Sequence, residues 1–236
     1  MELEPISNYV KRFSTGKNPK HLKESMQNLI PQIEEIGWYT IGFQDQFAIQ
    51  AHPDDFDKPD VNVYHSGCGP TPSLHKDRTD NPRVEADFVK TTPLFQNTIF
   101  EEILEESPIP YIRTRIFKLK PKHCFRIHRD IDYKFHLPII TNTMNMWVFP
   151  AHNVNHSLHT PLTGDNYFID TRIAHTAING SGYDRYHICM TSYLTDQEVF
   201  ERIAPFEVPL AKDNYPVIKG NPQDGHNWVL DDDDHG

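Results

Sequence analysis

His128, Asp130, His175 and Arg185 are the residues whose types and spacing could carry chemistry. Two imidazoles and one carboxylate form the ligand set that holds a non-haem Fe(II) on one face and leaves three coordination positions open. On an extended chain, side chains two apart share a face, so His128 and Asp130 reach one cation while Arg129 points away. The third ligand must come from a neighbouring strand. His175, forty-five residues after Asp130, lies in the β-like run FIDTRIAHTAING. Ten residues further on, Arg185 adds what a metal site alone does not need, a permanently charged fork suited to the carboxylate of an acidic cosubstrate.

Taken singly these residues say little, because HxD tripeptides arise by chance and a strand histidine is commonly just hydrogen-bonded. HRD also opens the kinase catalytic loop, but the position five after Asp130 is Phe135 rather than Asn, and no Gly-rich loop or DFG is present. The combination with Arg185 separates an oxygen-activating centre from two rivals. One rival is a non-catalytic, cupin-like protein whose metal merely holds a ligand; the other is a purely structural jelly roll. The turn signal Asn179-Gly180-Ser181-Gly182 reads as a hairpin between the His175 and Arg185 strands. For both side chains to share a face, that hairpin needs an odd-numbered loop or a bulge.

The elements that must position these groups follow from periodicity. From Tyr111 the chain is β-rich: Ile112–Leu119 alternates, and Cys124–Ile127, Phe135–Thr141, Met146–Phe149, Tyr167–Ile169, Ala174–Ile178 and Tyr186–Tyr193 follow at short intervals. Short strands between turn signals argue for a sandwich or barrel; the fold expected is mainly β, with a double-stranded β-helix (jelly roll, cupin-like) core at 111–195 and flanking helices. Residues 1–110 form a helical and loop region that shapes the pocket, and 196–236 a C-terminal helix and loop tail. Leu22, Met26, Leu29, Ile33 and Ile36 make one helical stripe over 21–36, with Pro31 expected to kink or break it. Residues 91–106 and 195–203 are the other helix candidates. Residues 44–85 are dense in Pro, Gly, Asp and Ser and read as a long loop, a candidate lid.

Composition narrows the class. The chain has 236 residues, a formal net charge of -10 and 19 prolines, which disfavours a nucleic-acid binder and favours loops over long helices. The acidic run Asp231–Asp234 reads as a solvated tail. No apolar stretch is long enough for a membrane span, and the N-terminus lacks a signal-peptide core. Three widely spaced cysteines, with no CxxC, fit free thiols in the cytoplasm.

The segments HRDIDYKFHLPIITN and GDNYFIDTRIAHTAINGSGYDRYHICM resemble the aspartyl/asparaginyl β-hydroxylase-like family of Fe(II)/2-oxoglutarate-dependent oxygenases, over about a third of the chain. The resemblance implies His128, Asp130 and His175 as iron ligands. It further implies Arg185 at the distal carboxylate of 2-oxoglutarate, and Lys134 and His136 at its metal-proximal end. Dioxygen would be the co-oxidant, and the substrate an aspartyl or asparaginyl side chain of a polypeptide or a free amino acid such as proline. Three positions depart from the pattern: Asp130 is present where human-type members lack the metal carboxylate, Phe117 stands where the family carries a serine contacting oxoglutarate, and Lys134 where arginine is common. A free amino acid would need a further cation for its carboxylate. Arg113 and Arg115, on the strand before HRD, are the candidates, with Asn142 and Trp147 as looser pocket residues.

Overall fold

The computed structural model describes residues 6–69, 84–151 and 154–210, the backbone alone at 151 and 154–156. In chain order the strands and helices are β1 (Val10–Ser14), α1 (Pro19–Ile36), β2 (Tyr39–Ile41), β3 (Gln44–Ala48), β4 (Gln50–Ala51), β5 (Lys90–Thr91), α2 (Ile99–Glu106) and β6 (Ile112–Leu119). Then follow β7 (His123–Cys124), β8 (Lys134–Ile140), β9 (Asn145–Ala151), β10 (Val154–His159), β11 (Asp165–Ile169), β12 (Thr176–Asn179), β13 (Arg185–Thr191), α3 (Asp196–Ile203) and β14 (Glu207–Val208). The large antiparallel sheet runs β14-β1-β11-β8-β13-β6-β3-β2, and the small one β10-β9-β12-β7. From β6 to β13 the chain passes repeatedly between the two sheets, which is the winding of a double-stranded β-helix.

Period-two alternation sorts each large-sheet strand into two faces. Phe135, Leu137 and Ile139 of β8 and Ile188 and Met190 of β13 are buried in the main apolar core, which also includes Leu22, Met26 and Ile33 of α1, Ile103 of α2 and Val199 of α3. The intervening Lys134, His136, Arg185, His187 and Cys189 line the space between the sheets. A second cluster, including Val10, Phe149, Leu158, Tyr167 and Ile169, closes part of that space.

Helix α1 is started by Asn18, whose side chain accepts from the Lys20 and His21 amides, and is closed by Gly37 at φ 98°. The break expected at Pro31 does not occur, and the helix runs through it. Pro31 and Gln27, whose carbonyl loses its i+4 donor, are both on the exposed side, where water replaces the missing bond.

Two other expectations need correction. Residues 44–51 are not loop: β3 pairs with β6, and β4 pairs with β5. The 70–83 part of the expected lid, and the run Asp231–Asp234, lie outside the described residues. Nor do His175 and Arg185 belong to one hairpin. β12 lies in the small sheet and β13 in the large one, so the 180–184 turn carries the chain across the sandwich and the odd-loop condition does not apply. Among the described residues no helix is long and apolar enough to cross a membrane.

Gly164, at the entrance to β11, has φ +79°, and a Cβ there would lie 2.3 Å from the Lys17 carbonyl oxygen. Gly164→Ala is expected to destabilise the fold by about 1–3 kcal/mol, the usual cost of such backbone strain, read as a lower midpoint in urea unfolding.

Candidate metal centre

The small sheet is prolonged by a single bridge. His128 N donates to His175 O at 3.0 Å and His175 N to His128 O at 2.9 Å, so the two residues oppose each other directly and share a face. Their ring centroids are 4.4 Å apart. Each Nδ1 lies against a backbone carbonyl, Arg126 O at 2.7 Å for His128 and Ile173 O at 3.0 Å for His175. That contact fixes the proton on Nδ1 and leaves both Nε2 lone pairs free for a metal.

Asp130 is placed differently from expectation, because residues 125–133 form no regular strand. Its amide donates to Thr171 O at 2.8 Å, and Thr171 Oγ1 donates to Asp132 O at 2.6 Å, so Thr171 holds the loop at Asp130 and again two residues on. That turn is itself clamped. Arg172 donates from Nε and Nη2 to Asp170 at 2.7 and 3.0 Å, and from Nη1 and Nη2 to Asp196 at 3.1 and 2.6 Å. Arg129, expected to point away, is exposed and borders the cavity.

The result is a cluster of His128, Asp130 and His175 with one ligand atom of each within 4.8 Å of the others. Asp130 oxygens lie 3.7 Å from His128 Nε2 and 4.0 Å from His175 Nε2. Adjacent ligands of a cation with bonds of about 2.1 Å stand about 3 Å apart, so side-chain shifts of roughly 1–2 Å would draw these atoms onto one ion. His175 is buried, and burial holds its pKa below the ordinary range, keeping the imidazole neutral as ligation requires. Two nitrogens and one carboxylate, on one side of a cavity, make a potential metal site that fits Fe(II).

The triad opens on a cavity of about 430 Å³ between the sheets. Arg185 is buried in its wall, with the guanidinium carbon 5.4 Å from the Trp147 ring centroid. Its Nε donates to His187 Nε2 at 2.9 Å, and Nη2 lies 3.1 Å from Nδ1 of the same ring. A neutral imidazole has one acceptor nitrogen, so only one of these contacts is a hydrogen bond. No carboxylate pairs with Arg185 among the described residues, and burial alone pushes its pKa down to about 9.

Lys134 is also buried in the cavity wall without an ion-pair partner among the described residues. His136 is fully enclosed, and burial with Arg185 nearby pushes its pKa well below the ordinary range. Among the described residues, three buried polar atoms on the lining lack any partner: His136 Nδ1, Trp147 Nε1 and Gln44 Nε2. Unsatisfied buried groups are costly in an empty protein and expected where a ligand satisfies them.

Of the remaining candidates, Arg113, Arg115 and Trp147 line the cavity. Asn142 does not: it accepts from the Met144 amide at 3.0 Å in the β8–β9 turn, so its candidacy is withdrawn. Phe117 presents its ring to the cavity beneath the Arg115 guanidinium, 4.9 Å from the centroid. Sequence reasoning missed Gln44, Gln46 and His187. The alternation of Gln44 and Gln46 with Asp45 and Phe47 was the available signal, hidden by the turn-rich stretch that follows.

No family model matches the chain, and no curated protein matches it in sequence. Solved structures with distant similarity include a cupin domain from Bordetella pertussis, at 15% identity and a TM-score of 0.29, covering 36% of this chain and 83% of that one. Another is a prolyl-4-hydroxylase from Pseudomonas putida, at 9% identity and a TM-score of 0.44, covering 80% and 96%. A third is an oxidoreductase of the 2OG-Fe(II) oxygenase family from Burkholderia pseudomallei, at 9% identity and a TM-score of 0.37, covering 75% and 90%. The fold assignment rests on strand order and register, and the chemistry on the side chains.

His175→Ala is expected to abolish Mn(II) or Fe(II) binding measured by anaerobic calorimetry. Arg172→Ala, which frees the turn behind Asp130, should weaken it about tenfold, the low end of what outer-shell partners contribute.

Proposed function

We propose that the protein is a non-haem Fe(II) oxygenase that uses 2-oxoglutarate and dioxygen to hydroxylate an unactivated C–H bond. The substrate classes considered are an aspartyl or asparaginyl side chain of a polypeptide and a free amino acid such as proline. The observation that carries this reading is Arg185, a buried guanidinium with no acid beside it among the described residues, in the same cavity as the His-Asp-His cluster. A cation taken out of water without a partner costs several kcal/mol, and a bound carboxylate offsets that cost.

His128, Asp130 and His175 would occupy one face of the iron and leave the opposite face for ligands. Iron bound there would supply dioxygen activation coupled to decarboxylation of 2-oxoglutarate to succinate, one oxygen atom going into the substrate C–H bond. The protein's own part is placement and exclusion of water. Arg185, with Trp147 beside it, binds and orients the far carboxylate. Lys134 attracts the near carboxylate as a point charge rather than a fork. His136 stays neutral, and its unpartnered Nδ1 is available to the same ligand.

The experiment is anaerobic titration with Fe(II) and 2-oxoglutarate. A weak visible charge-transfer band is expected only when both are present. Arg185→Ala should raise the 2-oxoglutarate concentration needed for it by about 100-fold or more, the loss of a buried charge-assisted pair. Lack of the band in the intact protein contradicts the proposal.

A further inference from the structure

We infer that Arg115 is the receptor for a free carboxylate on the primary substrate, so that the protein acts on a small acid such as a free amino acid rather than on an internal residue of a polypeptide. The inference rests on the oxygenase reading above and assigns the substrate class of that same cavity.

The cavity wall holds more positive charge than the cosubstrate can neutralise. Arg115, Lys134 and Arg185 are all buried in it, and none has a carboxylate partner among the described residues. 2-Oxoglutarate brings two carboxylates, which Arg185 and Lys134 accommodate. Among the described residues the single acidic group lining the cavity, Asp130, belongs to the candidate metal cluster. One buried cation therefore remains without an anion, and a third carboxylate is the group that offsets it.

The register sets Arg115, like Lys134, away from the Arg185 end. On the floor of the cavity Leu119 opposes Arg185, and Arg115 opposes Cys189, four residues further along β13. Four residues of strand correspond to about 13 Å. Cys189 in turn opposes His136 on β8, so Arg115 and His136 stand in one row across the sheet.

Arg115 is held in a fixed pose by neutral acceptors. Its Nε donates to Arg113 O at 3.3 Å, and its Nη1 faces Gln46 Oε1 at 3.2 Å, Gly67 O at 3.4 Å and Gly69 O at 3.3 Å. Gln46 is itself set, accepting from the Gly69 amide at 2.9 Å. Nη2 has no hydrogen-bond partner among the described residues. The neighbouring Arg113 differs: it pairs with Glu85 and donates to Gly67 O and Gly69 O at 2.8 and 2.6 Å. Arg113 thus anchors the 67–69 loop with its charge already matched, whereas Arg115 repeats those contacts with its charge unmatched.

The test measures 2-oxoglutarate consumption by the intact, iron-loaded chain. The probes are the free protein amino acids and short dicarboxylic acids, the carboxamide of each, and an amidated, N-acetylated peptide with an internal aspartate. At least one free acid is expected to stimulate turnover, with its amide about 100-fold less effective, as for a site built around a hydrogen-bonded group. Arg115→Met should lose that stimulation while still forming the Fe(II)–2-oxoglutarate band. Arg115→Lys should fall between, since a point charge attracts a carboxylate without clamping it.

The inference is overturned if an amide or the blocked peptide matches the acids, or if no acid stimulates turnover in a protein that forms the band. Loss of the band in Arg115→Met, with the thermal midpoint retained, would also overturn it by assigning Arg115 to the cosubstrate. Absence of the band in the wild type would instead sink the oxygenase reading itself.

Discussion

Two backbone hydrogen bonds exchanged by His128 and His175 hold the candidate site together. They join an irregular segment to the end of a strand, and because directly opposed residues share a face, they aim both imidazoles at one point. Everything else at the centre is arranged around that bridge. Thr171 fixes Asp130 beside it, and the Asp170–Arg172–Asp196 clamp fixes Thr171. The ligands are therefore set by backbone contacts and one ion-pair network rather than by packing of their own side chains.

Facing that centre is a wall whose charge is unbalanced. Large-sheet strands bury apolar side chains towards the helices and turn Arg115, Lys134 and Arg185 inward, where no acid pairs with them among the described residues. A fold that needed only stability would fill such positions with apolar residues, since buried charge is a poor source of stability. The orphaned Gln44 Nε2, His136 Nδ1 and Trp147 Nε1 belong to the same imbalance. A potential metal site on one side and surplus cations on the other are what the proposed meeting of metal and diacid requires.

Much of this was legible in the residues. The clustering of His128, Asp130 and His175 beside Arg185 was expected from residue type and spacing, and the strand at 112–119 from alternation, because both report local geometry. What failed was non-local. The Asn179–Gly182 turn looks like a hairpin in sequence, yet it crosses between sheets, and sheet membership is decided by partners far along the chain. β3 was hidden because Gln44 and Gln46 face a polar cavity, so a buried strand carries the composition of a loop. Pro31 is tolerated because the carbonyl it deprives lies on the solvent side of α1, which local propensity does not register.

The central claim is that one metal ion and one diacid meet in this cavity, with Arg185 behind the diacid. Anaerobic crystals grown with Mn(II) and 2-oxoglutarate test it most directly through the anomalous signal. The prediction is a single peak at about 2.0–2.3 Å from His128 Nε2, His175 Nε2 and an Asp130 oxygen, with the far carboxylate of the diacid on the Arg185 guanidinium. A metal bound elsewhere, or a diacid whose far end lies away from Arg185, would contradict it.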